Sequence, residues 1–391
     1  MRDSTIAVHA HEFYDEKYGV FIPPIFLTTI FEQRGETLLT DRGTELKYSR
    51  EENPTVRCLE RVLATLEHGA DSLAFNSGMS AISATLIHLL KGNMKLLVPI
   101  EVYGSTLQLV QALESKLGVK NVISWPETQD IVQNIIEERP DVVFVESITN
   151  PTLRVIDVVE AAKACREVEC SLIVDNTFAT PLLVNPLKLG SRYVIHSLTK
   201  YLGGHNDVVG GVVVAKDAKD VTEPRNGLSL WDWRRILGGI MQPFEAYLTL
   251  RGVKTLEPRF LKACSSAREI AEFLSEHPKV ERVYYPGLAS SPYKSTADRI
   301  FKVKAYGAVV SFTVKEGRQH AIRVLKRLRL IRPSPSLGGA ESLMTYPVIS
   351  ASKSIPETVR VKLGITDSLL RLSVGLEDVQ DLIEDLDRAL K

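Results

Sequence analysis

The feature that most constrains the fold is a series of short apolar runs between residues 56 and 215, most of them separated by segments with helical spacing of apolar residues. Strands that are apolar on both faces and alternate with helices indicate a mostly parallel sheet with helices on both sides. The strand-like runs are 72–75, 95–100, 121–125, 141–145, 171–174, 193–195 and 211–214, and the helical segments are 56–66, 81–90, 106–117, 130–138 and 157–168. The pattern predicts a large α/β domain with a mostly parallel, seven-stranded sheet.

The 391 residues exceed what one hydrophobic core usually serves, so we expect more than one domain. We predict an arm over residues 1–56, the large α/β domain over 57–243 and a smaller α+β domain over 244–391. In the third region, helices are expected at 259–275, 319–328 and 377–390, and strands at 283–285, 308–314 and 369–374.

The charge balance and the cysteines exclude several classes of protein. Lys plus Arg and Asp plus Glu both number 48, so no net field favours nucleic acid or an anionic membrane. A basic cluster near residues 323–332 has no interleaved aromatic residues, which favours a solvated helix face. The four cysteines form no metal-binding spacing, and no metal site is expected. We expect a cytoplasmic protein, because we find no signal segment and no apolar run of ~18 residues.

The arm carries an apolar patch at 21–31, followed by Tyr48-Ser49-Arg50 and Asn53-Pro54-Thr55. Helical periodicity is not evident here. Exposed apolar side chains on an extended arm are typical of a contact with a neighbouring subunit. The alternative, a disordered leader, fits the apolar content less well.

Lys200 follows the apolar run 193–195, and Ser197 and Thr199 precede it closely. A lysine beyond the end of a buried strand lies where α/β folds build their sites. Two hydroxyls beside an amine suit a ligand with both a phosphate and a carbonyl, such as pyridoxal phosphate, whose usual attachment is a lysine Schiff base. A solvated loop lysine is the alternative interpretation of this segment alone.

Other chemically useful side chains follow neighbouring strands of the predicted sheet, at the same edge. Gly78 opens a helix after the first strand, where backbone N–H groups could bind a phosphate. Tyr103 could stack on a pyridine ring, Asn150 could bind its hydroxyl, and Asp175 could keep its nitrogen protonated. A single site would account for all of them together.

The chain resembles the Cys/Met-metabolism enzymes that depend on pyridoxal phosphate. The resemblance covers nearly the whole chain and is carried by Tyr48-Ser49-Arg50, Ser77-Gly78-Met79, Val102-Tyr103-Gly104, Asn150-Pro151, Val174-Asp175-Asn176-Thr177-Phe178, His196-Ser197-Leu198-Thr199-Lys200-Tyr201, Ser336-Leu337-Gly338-Gly339 and Arg371-Leu372-Ser373-Val374-Gly375. It implies the PLP fold-type I architecture and a homo-oligomer, usually a tetramer made of two tight dimers.

The resemblance also implies a role for each matching residue. Lys200 would carry the cofactor and then act as acid and base, Asp175 would pair with the pyridine nitrogen, and Tyr103 would stack on the ring and assist proton transfer. The remaining implied roles are phosphate binding by Gly78, Met79, Ser197 and Thr199, contact with the neighbouring subunit's phosphate by Tyr48 and Arg50, a substrate carboxylate clamp by Arg371, and substrate orientation by Asn150 and Ser336.

The implied chemistry is γ-replacement or γ-elimination on a sulfur amino acid, of the cystathionine γ-synthase or γ-lyase type. Methionine γ-lyase and O-acetylhomoserine sulfhydrylase are the alternatives within the family, and a non-catalytic homologue is the alternative outside it. Ser105 stands where methionine γ-lyases usually have cysteine. Pro335 offers no charge to the distal amino group of cystathionine. Segment 230–235 is interpreted as a loop near the mouth of the site, with packing against the second domain as the alternative.

Overall fold

The large sheet of the computed structural model, which describes residues 1–11, 17–33 and 46–391, has seven strands in the order β1-β7-β6-β5-β4-β2-β3. Strand β7 pairs antiparallel with β1 and β6, whereas the remaining neighbours are parallel. The mostly parallel seven-stranded sheet is therefore confirmed. Its strands are β1 (Asp71–Phe75), β2 (Lys95–Pro99), β3 (Lys120–Ser124), β4 (Val142–Glu146), β5 (Ser171–Asp175), β6 (Tyr193–Ser197) and β7 (Gly211–Ala215).

Helices cover this sheet on both faces, as the apolar character of the strands requires. All five residues of β1, β4 and β7 are buried. The helices up to this point and just beyond it are α1 (Asp3–His9), α2 (Pro54–Glu67), α3 (Gly78–Leu89), α4 (Gly104–Leu117), α5 (Thr128–Glu138), α6 (Val158–Val168), α7 (Thr180–Leu183), α8 (Pro186–Leu189), α9 (Lys219–Thr222), α10 (Leu230–Leu237) and α11 (Pro243–Val253).

A second sheet of five strands has the order β10-β11-β12-β9-β8, and its β8, β9, β12 and β11 pair antiparallel. Its strands are β8 (Val280–Tyr284), β9 (Val309–Val314), β10 (Arg332–Pro333), β11 (Leu343–Thr345) and β12 (Leu369–Ser373). The accompanying helices are α12 (Leu256–Glu276), α13 (Lys294–Ile300), α14 (Gly317–Arg327), the 3₁₀ turn Pro347–Ile349, α15 (Glu357–Leu363) and α16 (Val379–Leu390). A smaller α+β unit thus follows the large one, as expected.

One apolar core joins the two units, because it contains residues of α2, β7, α12 and β12, among them Leu59, Val212, Ile270 and Leu372. The boundaries of the units at residues 56 and 243 stay predictions. Helix α2 begins at Pro54, two residues before the start of the helix predicted over 56–66. Asn53 caps this helix by accepting a hydrogen bond from Thr55 N at 3.0 Å.

The arm is not uniformly extended, so the absence of helix expected over 1–56 is wrong at its start. Helix α1 buries Ile6 and Ala7 in the core of its own chain. In contrast, Phe21, Leu27 and Ile30 are 89%, 74% and 67% exposed. Exposed apolar side chains of this size favour a contact with another surface.

The interpretation of segment 230–235 as a loop near the mouth is wrong, because the segment forms helix α10 and none of its residues lines the cavity described below. The alternative, packing against the second domain, is not contradicted, since Trp231 packs against an apolar cluster that includes Ile355 and Leu363. A capping box between Ser229 and Asp232 starts the helix. Arg234 is buried and its Nη1 lies 2.6 Å from Oε1 of Glu60, so the helix is bound to α2 of the large domain.

None of the helices in the described parts of the chain is long and apolar enough to cross a membrane. The five basic residues of the cluster on and after α14 are exposed, as a solvated helix face requires: Arg323, Lys326, Arg327, Arg329 and Arg332.

Candidate active site

A cavity of about 830 Å³ opens at the carboxyl ends of the parallel strands, beside β12 of the second sheet. Parallel α/β sheets bind ligands at this edge. Ten of the predicted site residues line it: Gly78, Met79, Tyr103, Asn150, Asp175, Ser197, Thr199, Lys200, Ser336 and Arg371. Residues from both units therefore meet in one place.

Lys200 lies in the turn after β6, with Ser197 as the last residue of the strand. Its Nζ donates a hydrogen bond to Ser336 Oγ at 2.7 Å. Burial, reinforced by the positive charge of Arg371, lowers the pKa of Lys200 to about 8. A larger share of neutral amine is therefore present near neutral pH than on an ordinary lysine, whose pKa is ~10.4.

Arg371 is held in β12 by groups that do not neutralise it. Nη1 donates to Asn150 Oδ1 at 2.7 Å, and Nη2 donates to the Ser336 carbonyl at 2.8 Å. Its Nε is buried and has no hydrogen-bond partner among the described residues. Burial lowers the pKa of Arg371 to about 10. A guanidinium with unused donors and no bonded carboxylate is suited to an incoming carboxylate.

Asp175 ends β5, and Thr177 fixes one of its carboxylate oxygens. Oδ1 accepts from Thr177 N at 3.0 Å and from Thr177 Oγ1 at 2.5 Å, which is an Asx-type turn. Oδ2 makes no hydrogen bond to the described residues and is available to a donor in the cavity. Burial raises the pKa of Asp175, and a positively charged partner would reverse that effect.

Tyr103 is the residue that precedes the first turn of α4, and its backbone contacts a second buried carboxylate, that of Glu146. Its backbone N–H donates to Glu146 Oε1 at 2.7 Å, and its side chain is 46% exposed at the cavity. Burial and the nearby Asp175 raise the pKa of Glu146 well above its usual value.

The start of α3 packs closely against the ends of β6 and β7, beside residues that line the cavity. A Cβ on Gly78 would lie 3.1 Å from Ser197 Cβ, and one on Gly211 would lie 2.3 Å from the Ser77 carbonyl oxygen. A side chain at position 211 would clash with this backbone, and one at position 78 would be tightly packed, so both positions favour glycine. The Ser197 hydroxyl makes no hydrogen bond to the described residues, whereas Thr199 Oγ1 already accepts from Gly210 N at 3.1 Å.

The residues present fit pyridoxal phosphate. The start of α3 and the Ser197 hydroxyl offer donors for a phosphate. Asp175 Oδ2 offers an acceptor for a protonated ring nitrogen, and Lys200 offers an amine of lowered pKa for the aldehyde. All of these groups belong to residues that line the same cavity.

Two residues of the site escaped the sequence-based assignment of roles. Thr177 connects Asp175 to Ser197, since its Oγ1 also accepts from Ser197 N at 2.9 Å. Glu146 receives the Tyr103 N–H. The Asp-Asn-Thr spacing is a signal for the Asx turn, but the bond to Ser197 joins two strands and has no local signature.

Tyr48 and Arg50 do not line the cavity of their own chain. They lie together on the surface, with the Arg50 guanidinium 5.3 Å from the centre of the Tyr48 ring. Arg50 Nη1 also donates to the Arg235 carbonyl at 3.1 Å. Two of the residues thought to affect substrate choice, Ser105 and Pro335, do line the cavity.

The chain is similar to several known proteins over nearly its whole length. Cystathionine beta-lyase of Coxiella burnetii is 38% identical over 387 residues, which are 99% of this chain and 97% of that protein. L-methionine gamma-lyase of Fusobacterium nucleatum subsp. polymorphum is 37% identical over 393 residues, covering 99% and 97%. The crystal structure of cystathionine gamma synthase from Xanthomonas oryzae pv. oryzae with aminoacrylate and cysteine superposes with a TM-score of 0.92 at 37% identity, covering 100% and 98%.

The architecture is that of the PLP fold-type I enzymes, as expected. The sequence pattern of one family matches residues 4–391. The chain belongs to the Cys/Met metabolism PLP-dependent enzymes.

Proposed function

We propose that the protein catalyses γ-replacement or γ-elimination on a sulfur amino acid or an O-activated homoserine, as cystathionine γ-synthases and γ-lyases do. The observation that carries the proposal is the pairing of Lys200, whose pKa is lowered to about 8, with the unneutralised Arg371 in one cavity. A base beside a carboxylate clamp suits proton removal from the Cα of an amino acid.

The site residues divide between cofactor and substrate. Lys200 would hold pyridoxal phosphate covalently, Asp175 would bind its ring nitrogen, Tyr103 would stack on the ring, and Gly78, Met79, Ser197 and Thr199 would bind its phosphate. When bound, the cofactor supplies an electron sink for the charge left at Cα.

The chain's own groups then position and move protons. Arg371 would bind the substrate carboxylate through its unused donors, while Asn150 and Ser336 keep its guanidinium in place. The released Lys200 Nζ would remove the Cα proton and later return it, within reach of the Ser336 hydroxyl at 2.7 Å. Tyr103, at the open side of the cavity, would assist proton transfer and limit access of water.

The test is turnover of three substrates by the purified holoenzyme. We expect formation of cystathionine from an O-activated homoserine plus cysteine, or release of cysteine and 2-oxobutanoate from cystathionine, to be faster than release of methanethiol from methionine. Fastest turnover of methionine would instead favour methionine γ-lyase. If Lys200→Ala retains the visible absorption of a lysine-bound cofactor, or if no substrate reacts, the proposal fails.

We also propose a cytoplasmic homo-oligomer, with a tetramer as the specific expectation. The exposed apolar side chains of the arm support the oligomer, and the four free cysteines support a reducing compartment. Sedimentation of the native protein measures the oligomeric state and tests the expected tetramer directly.

A further inference from the structure

The charged residues around the cavity include one that none of the roles above uses. The described lining residues carry five ionisable charges in all: Glu146, Asp175, Lys200, Lys353 and Arg371. Glu146 and Asp175 end strands of the large sheet, and Arg371 is 3% exposed. Lys353 differs from them, because it is exposed and lies at the mouth of the cavity.

The segment that carries Lys353 is fixed to the cavity wall. Its neighbours Ser352 and Ile355 are 0% and 4% exposed. A Cβ on Gly104, at the start of α4, would lie 3.0 Å from the Ala351 carbonyl oxygen. The backbone of the segment therefore packs directly on the helix that also presents Tyr103 and Ser105 to the cavity.

Lys353 forms no ion pair with any residue in ranges 1–11, 17–33 and 46–391. Pro335, which lines the same cavity, adds no charge. Glu146 and Asp175 are bonded to Tyr103 N and to Thr177. Among the five charged lining residues of the described chain, Lys353 alone is exposed, so the charge that these residues place at the mouth is positive.

A substrate bound by Arg371 and Lys200 has its α-carboxylate and α-amine in the buried part of the cavity. The side chain of such a substrate would occupy the rest of the cavity, whose exposed part is lined by Lys353. A negative charge at the far end of the γ-substituent would be attracted there, whereas a neutral or cationic end would gain nothing.

We propose that Lys353 is a specificity-determining residue that selects γ-substituents ending in an anion, a carboxylate or a phosphate. The inference rests on the proposed function and narrows its substrate class. It predicts that homoserine activated with an acidic group is preferred over homoserine activated with a neutral one.

The test compares three homoserine esters, carrying succinate, phosphate or acetate, each with cysteine as the acceptor. We expect Lys353→Met to lower the ratio of kcat/KM for an anionic ester to that for the acetate ester by about fivefold, with Lys353→Arg retaining the ratio and Lys353→Glu lowering it further. The effect should shrink at high salt. The anionic ester with the larger loss identifies the group that Lys353 binds.

A binding measurement separates specificity from turnover. The amino acids 2-aminosuberate and 2-aminooctanoate have eight carbons each and differ in a terminal carboxylate. In calorimetric titrations, we expect Lys353→Met to weaken the binding of 2-aminosuberate and to leave the binding of 2-aminooctanoate unchanged. Lys362→Met, on the exposed face of α15, is the matched control.

Unchanged ratios in the Lys353 variants would overturn this inference and leave the proposed function standing. A wild-type enzyme that cleaves cystathionine but uses none of the esters would likewise overturn this inference alone. An enzyme that acts neither on the esters nor on cystathionine would overturn the proposed function, and this inference would fall with it.

Discussion

Lys200 and Arg371 share one cavity, and within the described chain neither is bonded to a carboxylate. Their mutual repulsion is part of the reason that the pKa of Lys200 is low. Ser336 contacts both residues, with a backbone φ of 93° that is uncommon outside glycine. Such a conformation is retained when the surrounding contacts fix it, and these contacts do so at the centre of the site.

The lowered pKa of Lys200 can be measured in the cofactor-free protein. Because burial and Arg371 both disfavour the charged amine, Lys200 should become reactive toward an acylating reagent with a midpoint near pH 8, the value to which its pKa is lowered. Arg371→Met should move that midpoint upward, since one positive charge is removed. Mass spectrometry of the Lys200 peptide gives both values. A midpoint near ~10.4 in both proteins would contradict the burial argument.

Thr177 offers a sharper test of the contact with the cofactor ring. Thr177→Val keeps the shape but removes the hydroxyl that donates to Asp175 and accepts from Ser197. We expect affinity for pyridoxal phosphate to fall about tenfold, the effect of losing a charge-assisted hydrogen bond of ~1.5 kcal/mol. Absorbance titration of the apoprotein measures it. Thr177→Ser retains the hydroxyl and should restore affinity; a loss that serine does not restore would count against the hydrogen bonds.

Among the elements, the connection between β4 and α6 makes hydrogen bonds to both units. Buried Glu101 accepts from Thr152 Oγ1 at 2.6 Å and from Arg154 Nε at 2.8 Å. On the other side, Ser311 Oγ donates to the Pro151 carbonyl at 2.7 Å. Ser311 pairs with Arg371 in the second sheet, so both ends of the contact between Asn150 and Arg371 are fixed.

Glu101→Gln should therefore affect substrate binding more than cofactor binding. The amide cannot pair with Arg154 as the carboxylate does, which leaves the connection less well fixed, and we expect KM to rise about tenfold. Steady-state kinetics and a cofactor titration separate the two effects. Glu138→Gln, which alters an exposed ion pair with Lys95, is the control. A selective loss of cofactor affinity would show that this interpretation is wrong.

Element by element, the sequence predicts what local patterns encode. The seven strands of the large sheet were predictable because each is a short apolar run, and all seven are present. Helix α10 was missed because its eight residues are mostly charged or aromatic, although Ser229 and Asp232 form a capping box. The bond between Arg371 and Asn150 spans 221 residues, and no local pattern encodes a contact at that separation.

At the scale of the whole molecule, the predicted site residues of one chain do not all meet in the cavity of that chain. Lys200 lines the cavity, whereas Arg50 and Tyr48 lie on the surface of the same chain. The exposed apolar side chains of the arm precede these two residues in sequence. A dimer in which each arm reaches the other chain's cavity would account for both observations.

This arrangement makes a complementation experiment possible. Arg50→Ala should lower cofactor retention and activity, and Lys200→Ala should abolish activity. In a hybrid dimer of the two variants, one site combines the intact Lys200 of the first chain with the intact Arg50 of the second. After subunit exchange under mild denaturation, random pairing gives intact sites at about a quarter of the total.

The expected result is thus recovery of about a quarter of wild-type activity in the mixture, well above the mean of the two separate variants. The same mixture kept without subunit exchange is the control, because each variant then retains its own defect. If Arg50 served its own chain, the hybrid would contain no site better than those of Arg50→Ala, and exchange would restore nothing. Recovery therefore depends on where the arm binds, independently of which substrate the enzyme prefers.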